Sequence, residues 1–174
     1  MANKQALRDL QTRLADRLQA ARTEPLGRSW LAVECSSRGF LFPLRDAGEI
    51  FPMAPLLHVP HSHRWFLGVA NLRGHLHGVV DLGGFLGLKN IESGRDQSRL
   101  VGFNQSLDIN CALLVDRLLG LRSEEELSTE VDEPGGAARP SFAGARFRDT
   151  GGRSWQELNL TELAANEAFL RIVG

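Results

Sequence analysis

The chain has 174 residues, 20 Lys+Arg against 21 Asp+Glu, a formal charge of −1, and 43% apolar residues. That length builds one domain with a core that needs no staples, and the near-neutral balance argues against nucleic acid, as does the absence of tyrosine. No run reaches the ~18 apolar residues of a membrane span, and no apolar segment follows the N-terminal charges as a signal peptide requires, so the chain reads as soluble and cytoplasmic.

Residues 3–22 read as a helix. Leu7, Leu10, Leu14 and Leu18 recur at spacings of three, four and four, with Arg8, Asp9, Arg13, Asp16 and Arg17 on other faces. The stripe either packs on its own domain or acts as a docking or coiled-coil element, and three heptads do not decide between the two. Thr23-Glu24-Pro25-Leu26-Gly27 ends it. Short strands follow. Ser29–Cys35 and Gly39–Leu44 flank an SSR turn as a hairpin, and a third strand falls around Glu49–Phe51, with Ile50 inward and Glu49 outward. Pro52–His63 is a loop. Val69–Arg73 and Leu76–Leu82 are strands joined at Gly74, and Asp81 caps a helical turn over Gly83–Leu86.

Lys89–Ser98 is polar and reads as a passage between two lobes. Leu100–Phe103 and Cys111–Asp116 are strands, the latter continuing toward Leu121. Ser123–Pro140 is acidic, then rich in Pro and Gly, and reads as a long mobile loop. Phe142–Arg148 and Trp155–Leu160 straddle a DTGG turn, and a final helix begins after a Thr161 cap. Many short strands with regular turns point to barrels or sandwiches rather than βαβ units.

The sequence carries none of the common nucleophile-elbow, phosphate-loop or zinc-protease motifs. Cys35 and Cys111 lie in apolar runs and read as buried free thiols. The five histidines, His58, His61, His63, His75 and His77, fall within 20 residues. His75 and His77 share a strand face, which leaves a small metal-binding protein as an alternative. A zinc or copper site wants three or four ligands, however, and no Asp, Glu or Cys interrupts the stretch to complete one. In Val69–Arg73, alternation sets Val69, Asn71 and Arg73 opposite Ala70 and Leu72. Because an unpaired buried guanidinium is very costly, Arg73 is expected on display, with Glu49 as its candidate partner.

These residues resemble a known family. Phe66-Leu67-Gly68-Val69-Ala70-Asn71-Leu72-Arg73-Gly74, followed by Val79-Val80-Asp81-Leu82, resembles the GVxNLRG signature of the CheW family of chemotaxis coupling proteins. Gly48-Glu49-Ile50 and Leu114-Val115-Asp116 are similar to its other segments, and the resemblance runs from about Ser29 to Val173. It implies a mainly β fold: two intertwined five-stranded β-barrels with a groove between them, an N-terminal helix and a C-terminal helix. The boundaries that follow are 1–27 for helix and linker and 28–174 for the CheW-like domain, with barrels over 28–88 and 98–160 and the last helix over 161–172.

The resemblance also implies function. It predicts a non-enzymatic adaptor, without cofactor or metal, between the cytoplasmic tip of a chemoreceptor and the regulatory domain of a CheA-type histidine kinase. It implies recruitment to membrane-associated receptor arrays without membrane insertion, and no nucleic-acid partner. The leucine-rich helix and the GVANLRG wording resemble the pilus-associated, twitching-motility branch. The implied partner-binding residues are Glu49, Arg73, Asn71, Gly68, Ala47 and Leu121. Departures are His75 and His77 in place of aliphatics, the acidic 123–140 segment, and Trp155-Gln156-Glu157 breaking an apolar strand.

Overall fold

Apolar runs such as LAVEC, FLF and CALLV bury both faces of a strand, and strands of that kind belong at the centre of a layered β-structure. The computed structural model describes residues 2–23, 27–88 and 95–174. A helix, α1 (Ala2–Thr23), precedes β1 (Ser29–Cys35), β2 (Arg38–Pro43), β3 (Ala47–Pro52), β4 (Phe66–Leu72), β5 (His75–Asp81) and a one-turn α2 (Leu82–Phe85). Then come β6 (Arg99–Phe103), β7 (Cys111–Val115), β8 (Arg117–Ser123), β9 (Leu127–Glu130), β10 (Ala143–Asp149), β11 (Ser154–Leu158), α3 (Leu160–Ala164) and α4 (Glu167–Leu170).

The strands form a six-stranded sheet in the order β8-β1-β2-β11-β10-β9 and a five-stranded sheet in the order β3-β6-β7-β5-β4, rather than five and five. Nor do the sheets split at the 89–98 passage: β1 and β2 sit with β8–β11, and β6 and β7 with β3–β5. The interleaving rests on two parallel pairings, β2 with β11 and β5 with β7; parallel strands need long crossovers, so partners come from distant sequence. Consecutive β8 and β9 lie at opposite ends of their sheet although only Glu124–Glu126 joins them, so that sheet curls. Among the described residues no ladder joins β8 to β9 or β3 to β4, and each sheet stays open along one seam.

Alternation along the strands sorts the core into three clusters. Trp30 and Ala32 of β1 pack with Leu41, Phe147 and Trp155 on one face of the six-stranded sheet. Leu31, Val33 and Cys35 turn the other way and meet Phe40, Phe42, Val101, Leu113 and Phe169 between the sheets. Phe51, Ala70, Leu72, Val79, Leu100 and Ala112 fill the five-stranded sheet. Each fully buried large side chain here contributes about 1.5–3 kcal/mol. Both cysteines are buried and free as expected, and burial pushes each thiol up to about 12.

Several local expectations are corrected. The Cys111–Leu121 run breaks at Asp116, whose backbone N–H donates to Glu34 O (2.9 Å) and whose carboxyl accepts from Ser36 N (2.7 Å), as the chain changes sheets. The 123–140 segment is not all loop: a Ser123/Glu126 capping box starts a 3-10 turn that leads into β9. The last helix is two short ones, capped not by Thr161 but by Asn159 and Asn166, each accepting from a backbone N–H at 3.1 Å. The leucine stripe of α1 does not pack on the domain: Leu7, Leu10 and Leu14 are 52–57% exposed, and Leu18 lies outside the described side chains.

Glu34, the single acidic residue of β1, clamps the six-stranded sheet. It accepts from Arg117 Nε and Nη2 (3.0 and 2.7 Å) and from Arg153 Nη2 (2.8 Å). Burial pushes its carboxyl up, but the hydrogen bonds and charges of Arg153 and Arg117 outweigh that and hold it below the ordinary 4.5. A depressed folded-state value means stability that is present above 4.5 and lost as pH falls through the folded value. Glu34→Gln should therefore shrink the loss of Tm between pH 7 and pH 3; an unchanged loss would show that the clamp carries no linkage.

Candidate partner-binding site

The register of β3 explains how Glu49 is displayed. Ala47 pairs with Phe103 and Ile50 with Val101, so Gly48 and Glu49 together oppose Gly102 in a β-bulge. Gly48 is needed there, because a Cβ would stand 2.5 Å from Phe103 O. The extra residue resets the alternation, and Ile50, expected to point inward, is 39% exposed beside Glu49.

Arg73 is displayed differently from the expectation. β4 ends at Leu72, which pairs with His75, and Arg73-Gly74 forms a two-residue hairpin loop with φ of +50° and +83°. Two positive φ values in succession make a type I′ turn, whose first position favours Asn, Asp or Gly. The Asn71 side chain accepts from Gly74 N (2.8 Å) and braces the turn. A left-handed arginine has a local conformational cost and persists where its surroundings hold it.

β3 and β4 are the two ends of the five-stranded sheet, and the Arg73 guanidinium pairs with the Glu49 carboxyl across the open seam between them. Their side chains are 74% and 42% exposed. Below the pair lies a groove of about 370 Å³ lined by Phe51, His75, His77 and Asn104, with the rings of Phe51 and His77 5.9 Å apart. The groove thus joins an exposed ion pair to an aromatic lining, a mix of polar and apolar surface of the kind found where proteins dock.

The other expected residues separate. Asn71 braces the turn. Gly68 is buried, with φ +133° and Leu57 O only 2.3 Å from where a Cβ would stand; its bulge lets residue 57 bridge to Val69 (2.8 and 2.9 Å). Ala47 is buried at the start of the Glu49 bulge. Leu121 is 60% exposed on β8, in the other sheet, where the Arg122 guanidinium donates to its carbonyl and that of Leu119 (3.0 and 3.1 Å). The histidines scatter: His63 stacks on Trp65 at 5.2 Å while His77 faces Phe51, and among the described residues no three His, Cys, Asp or Glu could hold a metal ion. Asn104 was missed, although an Asn before Gln-Ser after an apolar strand carries the cap signature; its side chain accepts from Ser106 N (2.9 Å) and donates to Arg45 O (3.1 Å).

Comparison with known proteins agrees with the fold. The chain is 28% identical over 162 residues to Protein PilI of Pseudomonas aeruginosa, covering 92% of this chain and 88% of that protein. Its fold matches the crystal structure of the scaffolding protein TtCheW from Thermoanaerobacter tengcongensis with a TM-score of 0.63 at 17% identity, over 76% of this chain and 89% of that one. Residues 29–168 match the family described as the CheW-like domain, and the chain belongs to that family.

Proposed function

We propose that the chain is a non-enzymatic adaptor that couples the cytoplasmic tip of a chemoreceptor to the regulatory domain of a CheA-type histidine kinase. The PilI relationship further supports a place in the chemosensory control of type IV pilus twitching motility, in the cytoplasm at membrane-associated receptor arrays. Among the described residues no helix is long and apolar enough to cross a membrane. The observation that carries the reading is the Glu49–Arg73 pair, exposed and fixed by a bulge on one side and a braced turn on the other. Co-purification with a CheA-type kinase tests it: the wild type should retain the kinase, and failure to do so with both proteins folded overturns the reading.

The exposed stripe of α1 adds a separable element. An isolated helix of this length is marginal in water, and Leu7, Leu10 and Leu14 contribute little to the body they leave uncovered. Deleting residues 1–24 should leave the Tm of the β-domain within a few degrees while changing which receptor or kinase is retained. Global unfolding of the truncated protein would instead assign the helix to the fold.

A further inference from the structure

A second groove, of about 420 Å³, crosses β2, β11 and β10 of the six-stranded sheet and is lined by Arg38, Arg146, Arg153 and Trp155 with a single carboxylate, Glu130. Glu130 is already engaged, accepting from Arg148 Nε (2.7 Å) and Ser154 Oγ (3.0 Å), and Arg153 is drawn off to Glu34. Arg38 and Arg146 have no carboxylate partner among the described residues, and both are exposed. Among the described residues the side-chain hydrogen bond of Arg146 goes to Gln156 Oε1, at a long 3.4 Å, while Glu130 stands opposite it on β9. On a chain whose formal charge is −1, the groove is a local excess of positive charge.

The spacing of that charge says what it fits. Arg38 lies on β2 and Arg146 on β10, with β11 between them, so their strands are about 10 Å apart at the usual strand separation. A single phosphate is reached by guanidiniums converging on one point, whereas these two arise from strands separated by a third. Carboxylates on alternate residues of an extended chain recur about every 6.5–7 Å, and such a chain can meet both arginines. We propose that this face is a docking surface for an extended, carboxylate-rich segment of a partner protein. It lies on the other sheet from the Glu49–Arg73 groove and is independent of it.

A fluorescein-labelled octaglutamate peptide tests the assignment by anisotropy with the full chain at low salt. The wild type should bind it, bind octalysine at least tenfold more weakly, and lose affinity steeply as salt rises. Arg38→Glu/Arg146→Glu should reduce octaglutamate binding at least tenfold with an unchanged Tm; Arg38→Gln/Arg146→Gln reads the same loss if the reversal unfolds the chain. Arg73→Ala should leave it untouched. Retained binding in both double variants overturns the proposal, as does equal binding lost in Arg73→Ala. Complete displacement by millimolar inorganic phosphate would make the groove a simple anion site and overturn it too. Salt-sensitive dimers in sedimentation that the double variant abolishes would assign the face to a second copy of this chain instead.

Discussion

Glu157→Ala should lower Tm by roughly 4–12 °C, the largest stability effect expected at any polar residue of the chain, for a loss of about 2–3 kcal/mol. Glu157 belongs to the segment that breaks an apolar strand, and it is buried on the Trp155 face of β11, opposite Leu41 of β2. Trp30 Nε1 donates to its Oε2 at 2.6 Å, and Arg28, 60% exposed, lies 3.6 Å from the same oxygen. Truncation leaves the Trp30 N–H buried with no acceptor and a void against Gly144, where the other carboxyl oxygen is packed so closely that a Cβ would meet it at 2.5 Å. Arg28 keeps access to water, so little of the cost comes from its lost ion pair. Glu157→Gln preserves an acceptor and the volume, and should recover at least half of the loss in Tm. If the alanine variant melts with the wild type, the indole finds another acceptor and this polar anchor is not structural.

The second large effect is on coupling rather than stability. An exposed pair such as Arg73–Glu49 contributes ~0–1 kcal/mol to folding, while a charge desolvated at an interface can matter by ~2 kcal/mol or more when its partner is truncated. Arg73→Ala and Glu49→Ala should each leave Tm within a few degrees of the wild type and weaken kinase or receptor coupling at least tenfold. The turn offers a sharper variant. Asn is at home at the left-handed first position of a type I′ loop, so Arg73→Asn should hold or raise Tm while still abolishing coupling. Exchanging the charges, Arg73→Glu with Glu49→Arg, keeps the attraction across the seam and inverts what a partner meets. A swapped protein that couples normally would falsify recognition by these residues and leave the pair as a brace between β3 and β4.

The sequence showed local pairings and hid distant ones. The hairpins read correctly because a polar two-residue turn between alternating runs is a short-range signal, and the CheW-like wording around Asn71–Arg73 singled out the pair that the seam brings together. Sheet membership was not legible: the β2–β11 and β5–β7 pairings join residues far apart in the chain, and no local pattern reports them. The break between β7 and β8 was hidden in a mostly apolar run because tertiary hydrogen bonds of Asp116 with Glu34 and Ser36 fix it. β9 carries only Leu-Ser-Thr-Glu, polar enough to pass for loop until β10 pairs with it. At the site, two bulges reset the alternation: one exposed Ile50, and the other put Gly68 in the backbone scaffold rather than on the surface. Glu34 and Glu157 were visible as lone acids in apolar strands, but their partners lie 83 and 127 residues away.

The interleaving of the two sheets sets the order in which the molecule can be made. A chain emerging from the ribosome through residue 88 carries the β1–β2 hairpin and β3–β5, yet β8 and β11, which flank that hairpin, are still unmade, as are β6 and β7. Leu31, Val33, Phe40 and Phe42 then have no surface to close against until the strands of residues 99–158 arrive. At ordinary synthesis rates the remaining stretch takes roughly 4–14 s, a long exposure for an apolar hairpin and a natural window for a chaperone that holds rather than folds. The finished protein inherits the same logic: a cut in the 89–98 passage separates strands of both sheets, and neither fragment contains a whole sheet to live on.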